Sequence, residues 1–89
     1  MINHAFLEQN KDQLIQIYVK ERVLNFGKIG ALFVDFSNEQ KTDVYFLTLS
    51  NMPENVREKF LKKDNLNQKN TVFIYVLDKN ESQILDILV

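Results

Sequence analysis

Four stretches of the chain alternate or cluster their apolar positions as β-strands do. In residues 31–36, Leu32, Val34 and Phe36 fall on one side, with Ala31, Phe33 and Asp35 on the other. In residues 44–49, Val44 and Phe46 oppose Tyr45, Leu47 and Leu49. The polar run Ser37-Asn38-Glu39-Gln40-Lys41 between them has the length of a hairpin loop. Thr71 to Leu77 is apolar on both sides, Asp78-Lys79-Asn80-Glu81 is a turn, and Ser82 to Val89 is a final strand. Between the two hairpins, Pro53 suits a first helical turn. Glu54 and the pair Lys62 and Lys63 complement the two ends of a helix dipole, and Val56, Phe60 and Leu61 form its stripe. The pattern therefore predicts a helix over residues 53–64.

The first 27 residues admit two readings. Ile15, Val19, Val23 and Phe26 make a helical stripe, and Gly27 suits the left-handed position that ends a helix, which gives one long helix. Against it stand six consecutive polar residues, Glu8 to Gln13. They would split the segment into a short helix over residues 3–9 and a strand in which Ile15, Ile17 and Val19 alternate with Gln16, Tyr18 and Lys20. The long helix is the preferred reading. The resulting expectation is a single α+β domain spanning residues 1–89. Its antiparallel sheet has four strands, or five under the second reading, in two hairpins. An N-terminal helix precedes the sheet and a second helix lies between the hairpins (α-β-β-α-β-β).

Composition narrows the chemistry. The chain has 89 residues, 45% of them hydrophobic and 26% charged, which is the balance of an ordinary folded domain. It contains no cysteine, so disulfides and thiolate metal sites are excluded. No stretch reads as a signal peptide, and the longest run of large apolar residues, Val72 to Leu77, falls far short of the roughly 20 residues that span a bilayer. A cytoplasmic location without membrane contact is the expectation. The net charge of −1 supplies no electrostatic footprint for a polyanion.

No catalytic constellation stands out. His4 is the only histidine and lies near a terminus, without a second candidate ligand beside it. The carboxylates are dispersed: Asp35, Asp43 and Asp78 fall near strand ends, and Glu21, Glu54, Glu58 and Asp64 on helices. Arg57, Lys59, Lys62, Lys63 and Lys69 form the one basic concentration, interleaved with acids as on a solvated helix face. No enzyme, cofactor or metal is expected.

Gly27-Lys28-Ile29-Gly30 resembles the GXXG loop with which KH domains clamp a nucleic-acid backbone, but here a strand-like segment follows it instead of a second helix. Under the second reading of the N-terminus, a short helix followed by five strands bent at Gly27 and Gly30 is similar in outline to the Sm/Hfq small barrel. The helical insertion at Pro53 to Asp64 is long for that family, and the basic–glycine pair near its fourth strand is absent. This resemblance implies an alternative role in binding single-stranded nucleic acid, with Tyr and Phe stacking on bases.

The strand faces carry the main functional expectation. A sheet covered on one side alternates apolar and polar residues, yet residues 32–36, 44–47 and 72–77 are apolar on both sides. If both helices lie on one side, a second apolar face is left over for a partner. The expectation is a protein-interaction module, pairing with a second copy or with another protein through an apolar sheet face. Val72, Phe73, Ile74 and Tyr75 are its candidate interface.

Overall fold

The polar stretch at residues 8–13 does break the N-terminal helix, but a second helix follows it, not a strand. A computed structural model, which describes residues 2–89, shows α1 (His4–Gln9), α2 (Lys11–Leu24), β1 (Gly30–Asn38), β2 (Lys41–Thr48), α3 (Glu54–Leu61), β3 (Thr71–Leu77) and β4 (Ser82–Leu88). A short 3₁₀ turn at Leu49–Asn51 precedes α3. The Asn3 side chain caps α1 by accepting the Phe6 N–H at 3.0 Å. At Asn10 the backbone leaves the helical region, and its backbone and side-chain N–H groups both donate to the Phe6 carbonyl, at 3.0 and 2.9 Å. Neither reading of the N-terminus is met in full: the break occurs, and residues 15–20 stay helical. α3 is also shorter than the expected 53–64, with Pro53 as its N-cap residue.

Both expected hairpins form. Leu32 pairs with Phe46 and Val34 with Val44 in the first; Ile74 pairs with Leu85 and Tyr75 with Ile84 in the second. The expectation of an all-antiparallel sheet is corrected: the strand order is β2-β1-β3-β4, and β1 runs parallel to β3, with Leu32 beside Ile74 and Val34 beside Val76. The cause lies in the connection. β2 ends level with the start of β1, since Thr48 pairs with Gly30. α3 has eight residues and so is about 12 Å long, under half the roughly 26 Å of eight-residue β2. The link through α3 returns the chain to the end it left, and β3 sets out in the direction of β1.

The helices lie on opposite faces, which also corrects the one-sided arrangement. On the face carrying Leu32 and Val34, Phe6 of α1 meets Phe36 edge-on at 5.3 Å and Tyr18 of α2 meets Phe46 edge-on at 5.7 Å. On the other face, Phe60 of α3 meets Phe73 at 4.9 Å, and the Phe33 ring lies between Tyr45 and Tyr75 at 5.4 and 5.0 Å. Lys63 closes the edge of that face with a 3.3 Å ion pair to Asp86. The two central strands are therefore buried on both sides within one chain, while β2 and β4, which carry the polar residues, form the edges. The sheet is open, with the two free edges that a closed five-stranded barrel lacks. Among the described residues, no helix is long and apolar enough to cross a membrane.

Gly30 is the close-approach point of the α2 face. A Cβ there would stand 2.5 Å from the Leu47 carbonyl oxygen and 2.6 Å from the Phe46 ring. The same residue's carbonyl accepts the buried Tyr18 hydroxyl at 3.3 Å. Gly30→Ala should therefore lower unfolding free energy by about 1–3 kcal/mol, read as a reduced midpoint in urea with an unchanged slope. An unchanged midpoint would contradict the crowding seen at this position.

Candidate functional site

α2 begins as a core helix and ends as an overhang. Leu14 and Tyr18, one turn apart, are buried against the sheet. The next position in that row is Arg22, so the buried stripe stops, and the remaining apolar residues turn outward: Val19, Val23 and Leu24 are all exposed. Beneath the overhang, the loop carrying Lys69 and Asn70 enters β3, and Val89 is tied to it by its N–H donating to the Asn70 carbonyl at 2.8 Å. Between these parts lies a groove of about 630 Å³, lined by Val19, Val23, Val72 and Val89, by Tyr18 and Thr71, and by Arg22 and Lys69. That volume falls within the range of about 300–1,000 Å³ typical of ligand-binding clefts.

The polar groups around the groove are well defined. An Arg22 N–H donates to the Gly27 carbonyl at 3.2 Å, and the guanidinium lies 6.0 Å from the centre of the Tyr18 ring. Burial pushes the Tyr18 hydroxyl above its usual value against the lowering pull of Arg22, so Tyr18 remains a neutral donor to Gly30. Thr71 is buried and donates to the Gln68 side chain at 3.3 Å.

The helix end beside the groove is strained. The Gly27 N–H donates to the Arg22 carbonyl at 2.7 Å and the Phe26 N–H to the Val23 carbonyl at 3.1 Å, the pair of bonds that defines a Schellman ending. The left-handed position of that motif is Phe26, with φ of 59°, and not Gly27 one residue later, whose φ is 70°. An L-residue in this conformation costs about 1–2 kcal/mol. Phe26 recovers none of that through packing, because its side chain is 91% exposed. The glycine expected to occupy this position is displaced by one residue, and a bulky aromatic is held out to solvent next to Gly27, which lines the groove.

The residues singled out from sequence fall in other places. Val72, Phe73, Ile74 and Tyr75 are 1–3% exposed, inside the central strand; Val72 alone reaches the groove wall. Their apolar faces meet the chain's own helices and rings, whereas exposed apolar residues gather at the end of α2. His4 opens α1 and is exposed. The basic residues separate: Lys63 pairs with Asp86, whereas Lys69 joins the groove. Among the described residues, no group of three or more His, Asp or Glu side chains could hold a metal ion. Sequence reasoning missed Val19, Arg22, Val23, Phe26 and Val89; the available signal was that the Leu14–Tyr18 row runs into an arginine.

Comparison of the chain with protein-family models, with curated proteins and with solved structures yields no match.

Replacing the strained aromatic isolates its cost. Phe26→Gly should raise unfolding free energy by about 0.5–1 kcal/mol, since relief of left-handed strain exceeds the entropy cost of glycine. The measurement is urea denaturation, and a loss of stability would show that Phe26 makes contacts this geometry lacks.

Proposed function

We propose that this protein is an interaction module whose docking surface is the groove under the end of α2, together with the exposed Phe26 beside it. The observation that carries this reading is the concentration of apolar surface at one place. Val19, Val23, Leu24 and Phe26 are exposed on consecutive turns at the end of one helix, next to a cavity with valine walls. Clustered apolar surface of this kind marks sites that other molecules cover, whereas single exposed apolar residues do not. An exposed aromatic next to a preformed apolar hollow is also the composition of an interface hot spot.

An apolar sheet face is a weaker candidate, because both faces of β1 and β3 are occupied internally. Single-stranded nucleic acid is weaker too, since Phe33 and Tyr75, two of the sheet aromatics that would stack on bases, are buried. Nothing in the groove aligns a nucleophile with a base, so a binding role suits it better than catalysis.

Site-specific photocrosslinking in the source cells tests the reading. A benzophenone side chain placed at position 19 or 23 should form a discrete protein adduct, and the same group at Lys41, on the opposite edge strand, should not. Adducts of equal yield at all three positions, or none at 19 and 23, would end it.

A further inference from the structure

Resting on the groove reading above, we infer that the occupant is an acidic, apolar segment of another protein, its aliphatic or aromatic side chains seated between the valines and a carboxylate held by Arg22 and Lys69. Among the lining side chains are two cations and no Asp or Glu. Neither cation has an ion-pair partner within 4 Å among the described residues, although the chain as a whole carries a net charge of −1. The groove's side chains thus carry positive charge although the chain as a whole is slightly acidic. Arg22 is also pre-positioned: one N–H is engaged by the Gly27 carbonyl and the guanidinium is steadied near Tyr18, so its remaining donors can take a carboxylate at little entropic cost.

The same charges decide against a second copy as occupant. A two-fold interface on this patch would place each Arg22 and Lys69 near the other copy's pair, with no lining Asp or Glu side chain to offset them. Four valine walls equally disfavour a sugar–phosphate backbone, which brings anions without apolar side chains. An acidic amphipathic segment satisfies both halves of the groove.

A random 16-residue peptide library panned against the full chain provides the test. Enriched peptides should carry Asp or Glu adjacent to large apolar residues, and should lose binding to the Val19→Gln/Val23→Gln variant, whose sites are exposed and whose fold is readily checked by circular dichroism. Lys69→Glu, on the exposed loop before β3, should weaken those peptides at least about tenfold, and Arg22→Gln should do the same with reduced salt dependence. Peptides that depend on the two valines but show no acidic preference and tolerate Lys69→Glu would overturn the charge inference and leave the groove reading standing. The absence of any peptide sensitive to the valine substitutions would overturn both.

Discussion

Two-sided burial of β1 and β3 is the constraint on which the rest of this structure depends. Residues 31–34 and 72–76 are buried, including both side-chain sets of each strand. Strands of that kind can only be central, which leaves β2 and β4 for the edges, where Lys41, Asp43, Ser82 and Gln83 meet water. They also require cover from both directions. The chain supplies it with the α1–α2 pair on one face and α3 on the other, and a crossover that places α3 there is the same crossover that makes β1 and β3 parallel.

The groove follows from this division of labour. α2 is needed only where the sheet is wide enough to bury it, and Leu14 and Tyr18 carry that duty. Gly30 lets the helix and Phe46 close on β1, and the Tyr18 hydroxyl fixes the spacing through the Gly30 carbonyl. Past Tyr18 the helix continues for more than a turn with Val19, Val23 and Leu24 exposed. An unsupported apolar helix end next to the opening of β3 leaves a hollow, and Arg22 prevents the chain from filling it with its own apolar side chain.

Both hairpins and the helix between them were legible in the sequence, because alternation and turn chemistry are local signals and Val44, Phe46, Val72 and Ile74 obey them. The parallel pairing was not legible. It depends on where a 22-residue connection (residues 49–70) brings the chain back, and no local pattern in Leu49 to Asn70 records that. The excess of apolar strand surface was read correctly as a problem needing cover, but the cover was assigned to a partner because both helices were placed on one side. The break at Asn10 was visible as six polar residues, and the helix after it was visible in the stripe of Ile15, Val19 and Val23; the two were not combined because Ile15, Ile17 and Val19 also satisfy a period of two, which tied the break to a strand. The candidate interface of Val72, Phe73, Ile74 and Tyr75 drew on hydrophobicity alone, which ranks the most apolar strand first, and in a chain of this size the most apolar strand is the one the fold spends on its own core.

Phe26 separates what folding requires from what it does not. A Schellman ending needs a residue tolerant of positive φ at its left-handed position, and glycine stands one residue away, at 27. Position 27 is left-handed as well, so glycine is needed there, and only a second glycine at 26 would remove the strain without disturbing either hydrogen bond that defines the motif. The aromatic ring contributes nothing to the core at 91% exposure, so the fold gives no reason for its presence. Conformational strain retained without an internal return supports the proposal that Phe26 belongs to a docking surface. Phe26 stands beside Gly27, which lines the groove, and neither lining cation has an ion-pair partner within 4 Å among the described residues, so one steric and one electrostatic feature meet at the same end of α2 and support the docking surface proposed for it.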